Sequence, residues 1–206
     1  MGKFWNKEEK LQYETAFSKK GCKYIVGVDE VGRGPLAGPV VCAAVIMPLD
    51  DARIIEGIDD SKKISEKKRE QLSEKIKQTA IAYTIIETDE KVIDEINILE
   101  ATKLGMKRAV ETLPFSPDIV LTDGNMTLDI SYPQQSIVKG DSLSYSIGAA
   151  SIIAKVHRDK LMDEYAKEYP QYAFEKNKGY GTAEHIKGIK EYGLCPIHRR
   201  TFTKKF

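Results

Sequence analysis

The chain of 206 residues is 41% hydrophobic and 31% charged, with a formal net charge of +1. That balance describes a soluble globular protein with one sizeable core, and its near-neutral total does not advertise nucleic-acid binding. A local basic face stays open, because charge distribution matters more than the sum. The three cysteines, Cys22, Cys42 and Cys195, are odd in number and lack metal-type spacing, which fits a reduced, cytoplasmic compartment. The first ten residues lack the apolar core of a signal peptide. No run approaches the ~18 apolar residues of a membrane span.

Residues 6–20 have helical spacing, with Leu11, Ala16 and Phe17 apolar and Gly21 as a stop. A first strand is predicted over 24–29. It delivers two adjacent carboxylates, Asp29 and Glu30, to its end. Side chains alternate along a strand, so a kink or bulge beside Asp29 is expected to bring both to one rim. A glycine-rich turn with one cation follows, Gly32-Arg33-Gly34. The next strand, 39–47, is apolar almost throughout, and its short link predicts an antiparallel neighbour.

Residues 51–64 are polar and irregular. A charged helix is predicted over 65–78, a third strand over 80–87, and two successive helices over 89–113. A strand over 118–122 leads to Asp123-Gly124-Asn125, and a short one over 135–138 to Lys139-Gly140-Asp141. A long helix with a small-residue face spans 142–169, a loop 177–182, and a last helix 183–192. The tail from Pro196 is basic. The expected architecture is α/β: one domain over 1–206, with a mixed five-stranded sheet in a core of about 21–170 and a C-terminal helical segment of about 171–206.

Asp29, Glu30, Asp123 and Asp141 then lie at the ends of apolar strands. Neighbouring strands are about 4.8 Å apart, so such ends can converge. Clustered carboxylates repel one another unless cations sit among them, and oxygen ligands suit Mg²⁺ or Mn²⁺. Two such ions suit phosphodiester displacement. Taken singly, Asp123-Gly124 also reads as a hairpin turn and Asp141 as a helix N-cap. The spacing of Gly32, Gly34 and Gly38 fails the dinucleotide fingerprint, and no phosphate-loop lysine follows. What remains is a turn whose backbone can approach a ligand closely.

Residues 28–40, V-D-E-V-G-R-G-P-L-A-G-P-V, resemble the signature of type 2 ribonucleases H, the bacterial and archaeal ribonuclease HII. The likeness continues in family order through residues 60–63, 97–102, 123–125, 139–142, 149–156, 178–182 and 196–202. It implies a ribonuclease H-like fold and two divalent ions, Mn²⁺ or Mg²⁺, on Asp29, Glu30, Asp123 and Asp141. It implies cleavage of RNA in RNA–DNA hybrids, and incision 5′ to single ribonucleotides in duplex DNA, leaving 3′-hydroxyl and 5′-phosphate ends. Such incision serves ribonucleotide removal in replication and repair. It assigns reading of the 2′-hydroxyl to Gly32, Arg33 and Gly34, with Tyr180 stacked near the sugar. The 2′-hydroxyl distinguishes RNA from DNA.

Lys62, Lys63, Lys155, Arg158 and Lys178 are candidate phosphate contacts. His157, His185 and His198 lack paired metal spacing and read as structural or peripheral. The N-terminal segment is read as too short for the extra domain of type 3 enzymes. A DNA-directed relative, such as a junction resolvase, and a non-catalytic duplex binder are the competing functions. A monomer is expected. Residues 202–206 are too short and ambiguous to read as a sliding-clamp peptide.

Overall fold

The computed structural model describes residues 5–206. Five strands form one sheet: β1 (Ile25–Val31), β2 (Val40–Ile46), β3 (Ala82–Thr88), β4 (Ile119–Asp123) and β5 (Gln134–Ile137). Their spatial order is β3-β2-β1-β4-β5. β2 runs antiparallel to β1, as the short link between them predicts, and antiparallel to β3 as well. β4 runs parallel to β1, and β5 parallel to β4. The mixed five-stranded sheet of the sequence reading is therefore the observed one.

The helices are α1 (Lys7–Lys10), α2 (Gln12–Ser18), α3 (Glu66–Thr79), α4 (Glu90–Glu111), α5 (Gly140–Leu143), α6 (Tyr145–Glu168), α7 (Phe174–Asn177) and α8 (Ala183–Tyr192). β2 is buried at every position because both of its faces are covered. Val41, Ala43 and Val45 pack with Leu72 and Ile76 of α3 and with Ala149, Ala150 and Ile153 of α6. Val40, Cys42, Ala44 and Ile46 pack with Ala101, Met106 and Ala109 of α4 on the other side.

Several boundaries differ from the sequence reading. Residues 6–20 form two short helices, because the buried Leu11 leaves helical geometry between them. β1 runs on through Glu30 to Val31. The long helix over 142–169 is broken at Ser144, an extended residue whose hydroxyl accepts from the Ile147 N–H and caps α6. The two helices predicted over 89–113 are joined at a kink. Asn97 sits there at φ 67° and its side chain accepts from the N–H groups of Leu99 and Glu100, restarting the helix.

The small face of α6 lets its backbone meet the sheet. A Cβ on Gly27 of β1 would lie 2.1 Å from the Ser146 carbonyl carbon, so only glycine admits this approach. The C-terminal segment is stitched to the glycine turn after β1. Leu36 donates to Gly179, Gly38 to Ile197, and Arg199 to Leu36, each at 2.8 Å through backbone groups. Ala37, Met162, Tyr172, Phe174, Ile189 and Ile197 form a small apolar core at this seam.

Candidate active site

The pairing of Val28 with Thr122 sets Asp29 beside Asp123 on parallel strands. The β1–β2 ladder continues in regular register from Val26 to Val31, so the bulge expected beside Asp29 is not formed. Asp29 and Glu30 nonetheless line one cavity. That cavity of about 220 Å³ is lined by Asp29, Glu30, Asp123 and Asp141, with Ser61, Lys62, Ser151, Lys155 and Tyr180 around them.

Each acid is held differently. Asp29 is buried, and one of its oxygens accepts the Glu30 N–H at 2.8 Å. A Glu30 oxygen lies 3.5 Å from the Arg33 guanidinium, while its other oxygen is buried without a partner. Asp123 accepts the Gly140 N–H at 2.6 Å and stands 3.4 Å from that of Asp141. Since β4 and β5 are parallel, Asp123-Gly124 is not a hairpin turn. Asp141 is not an N-cap either: it lies in the first turn of α5, and Lys139 takes the capping position at φ 59°.

Burial pushes Asp29 well above the usual carboxylate range, and the Glu30 and Asp123 charges add to it, against a hydrogen bond from Ser151. Glu30 is pushed up to about 7, chiefly by burial, with Arg33 opposing. Asp141 is raised by burial and then by Asp123 and Asp60. Grouped acids with an unpartnered buried oxygen fit a hard divalent cation, which offsets desolvation and mutual repulsion together. Among the described residues, no three His, Cys, Asp or Glu side chains already close tightly enough to enclose an ion.

The glycine turn borders this cavity. Gly32 has φ +92°, and a Cβ there would strike the Arg158 side chain at 2.2 Å. A Cβ on Gly34 would lie 3.5 Å from the Tyr180 ring. Gly34 thus lies against the Tyr180 ring at the rim of the acids, with room for about one methyl group between them.

The basic residues divide. Lys62 and Lys155 line the cavity, and Lys155 also pairs with Asp159 at 2.5 Å. Lys63 is exposed and donates to the Ser142 hydroxyl at 2.8 Å. Lys178 is paired with Asp163. Arg158 corrects the sequence reading: it is fully buried, with no surface for a phosphate. Its guanidinium donates to the carbonyls of Pro39, Ala37 and Lys178.

Sequence reasoning passed over Arg199 and Ser151. Arg199 is also fully buried and donates to the carbonyls of Gly32, Arg33 and Gly38. Burial pulls it down to about 9 and Arg158 to about 10, so both stay charged near neutral pH. Two buried cations holding backbone carbonyls shape the turn. A basic tail gave no signal of this. Ser151 lies one helical turn before Lys155 on the same face of α6, a spacing that could have flagged it.

The sequence pattern of the family described as Ribonuclease HII matches residues 26–205. The chain belongs to the ribonuclease HII family. The Ribonuclease HII of Acetivibrio thermocellus is 57% identical over 194 residues, covering 94% of this chain and 75% of that one. The ribonuclease H2 of Pyrococcus horikoshii superposes with a TM-score of 0.73 at 26% identity, covering 88% of this chain and 94% of that one. The ribonuclease HII of Archaeoglobus fulgidus, solved in complex with PCNA, superposes at 0.74 over 86% of this chain and 94% of that one. At 23% identity that likeness carries the fold alone. As a ribonuclease HII, the chain is a hydrolytic endoribonuclease acting on RNA–DNA hybrids. Among the described residues, no helix is long and apolar enough to cross a membrane.

Proposed function

We propose that the chain incises duplex DNA 5′ to single embedded ribonucleotides, besides cutting the RNA of hybrids, and that it uses two divalent ions, Mn²⁺ or Mg²⁺. Its role is then ribonucleotide removal in DNA replication and repair. Asp29, Glu30, Asp123 and Asp141 would hold the ions, which when bound supply an activated water and charge stabilisation for an in-line displacement. The product ends would be a 3′-hydroxyl and a 5′-phosphate.

The observation that carries this reading is the placement of the Gly34 turn and the Tyr180 ring side by side at the edge of the four acids. The backbone of Gly32, Arg33 and Gly34 meets a 2′-hydroxyl there without side-chain bulk, and hydrogen bonding to it selects a ribose. Tyr180 stacks against the neighbouring sugar and fixes the junction. Lys62 and Lys155, which both line the cavity, orient the phosphate. Lys63 and Lys178 extend that contact along the backbone.

The deciding assay compares three duplexes: one ribonucleotide in DNA, a long hybrid, and all DNA, each with Mn²⁺ and with Mg²⁺. Incision at the single ribonucleotide, with none of the all-DNA duplex, supports the reading. Equal cutting of all-DNA substrate overturns it.

A further inference from the structure

Behind Tyr180, outside the acidic cavity, three side chains from α8 and the tail form a buried chain of hydrogen bonds. His185 Nδ1 lies 2.9 Å from the Tyr180 carbonyl. His185 Nε2 lies 3.0 Å from His198 Nε2. His198 Nδ1 lies 2.9 Å from the Cys195 N–H and 3.0 Å from the Cys195 Sγ. Both histidines are buried.

The donor and acceptor roles follow from chemistry alone once the rings are neutral. A carbonyl only accepts, so His185 carries its proton on Nδ1. Its Nε2 is then a bare acceptor, and His198 must donate from Nε2. His198 Nδ1 is therefore an acceptor, served by the Cys195 N–H and thiol, and makes no bond with the Cys195 carbonyl 3.3 Å away. Burial holds both imidazoles below the usual histidine range, His198 at about 4, and raises the Cys195 thiol to about 11. Every proton in the chain has one place to be.

The surroundings keep the chain dry and oriented. The Tyr172 ring meets His198 edge-on at 4.8 Å, and the Phe174 ring meets His185 at 5.1 Å and 86°. The Tyr180 carbonyl also accepts from Thr182 N–H, and the Tyr180 N–H donates to Asn177. Both backbone groups of a half-exposed tyrosine are thus fastened, while its ring faces Gly34.

We infer that Cys195, His198 and His185 are positioning residues for Tyr180, holding its backbone so that the ring stays at working distance from Gly34, and that they set the selectivity for single ribonucleotides. This rests on the proposed role of Tyr180. None of the three side chains lines the cavity of the four acids, and the bond they make to the proposed site is the one to the Tyr180 carbonyl.

Two measurements test it. Nitrogen NMR on the intact protein should find His185 protonated on Nδ1 and His198 on Nε2; the opposite tautomer at either ring overturns the chain. Steady-state rates on a single-ribonucleotide duplex and on a long hybrid should separate the variants. His185→Leu removes the donor to Tyr180 and should lower incision at the single ribonucleotide by on the order of 10- to 100-fold relative to hybrid cleavage. His185→Asn keeps a donor at the Nδ1 position and should restore the ratio to within a few-fold of the parent. Equal losses on both substrates in both variants reduce the histidines to a folding role and overturn the inference. Tyr180→Ala is the separating control. If it leaves the ratio unchanged, the reading of Tyr180 fails. If it shifts the ratio while both His185 variants do not, only the positioning inference fails. Should His185→Leu not fold, the tautomers and His185→Asn decide.

Discussion

Asp123 holds the Gly140 N–H at 2.6 Å, so the end of β4 and the turn that carries Asp141 are fixed to one another. One acid thereby places another. Asp123→Asn keeps an acceptor for Gly140 and removes the charge. Its melting temperature should stay near the parent's, while hybrid cleavage falls by on the order of 100-fold or more. Retained cleavage would remove Asp123 from the catalytic set.

Gly140→Ala probes the same joint sterically. Its Cβ would lie 2.6 Å from the Ile147 side chain and 3.3 Å from the Asp123 oxygen. Overpacking of this kind costs about 1–3 kcal/mol. Denaturant melts should show that loss, accompanied by reduced cleavage. A variant as stable and active as the parent would contradict the close packing.

The metal-free protein should weaken as pH rises. Glu30 is pushed up to about 7 from an ordinary value of 4.5. Between those values the folded state keeps a proton that the unfolded chain has released, so stability falls as pH climbs through about 7. Thermal melts in chelator at pH 5.5 and 8 should show the drop, and Glu30→Gln should flatten it. Mn²⁺ should raise the parent's midpoint at pH 8 by binding the folded state, and raise that of Glu30→Gln less. Identical pH profiles for the two proteins would contradict the buried carboxylate.

Arg199→Lys should be costly despite its retained charge. The guanidinium serves the carbonyls of Gly32, Arg33 and Gly38 together, a fork that an ammonium does not reproduce. A loss of about 2–4 kcal/mol is expected, with a sharper fall in cleavage than Arg200→Lys, whose side chain is exposed. Equal behaviour of the two would mean that the buried fork does not shape the turn.

Gly34→Ala separates recognition from folding. Its Cβ would meet the Tyr180 ring at an ordinary 3.5 Å, so the fold accepts it. It puts a methyl group on the backbone face proposed to meet the 2′-hydroxyl, and incision at a single ribonucleotide should drop by on the order of tenfold at unchanged melting temperature. Full incision would move the recognition site elsewhere.

Residues 24–47 could be read without a structure, because strand alternation, an apolar run and a short link are local properties. The same holds for α8 and for the two successive helices over 89–113, though not for the place where they meet. The four acids stood out because each follows an apolar strand. Their convergence was a guess until the parallel β1–β4 register placed Asp29 against Asp123. The expected bulge is absent, because the β1–β2 ladder keeps its regular register past Asp29.

By itself, the sequence determined the mixed α/β class, the order of the strands along the chain and the identity of the acids, all written in nearest-neighbour patterns. Only the tertiary structure decided what Arg158 and Arg199 do. A cation in a sequence looks like a solvated charge or a phosphate contact. Here the two are buried against the carbonyls of the glycine turn, some 120 to 167 residues away along the chain. Local pattern is silent on such contacts, because burial is a property of the whole packed molecule.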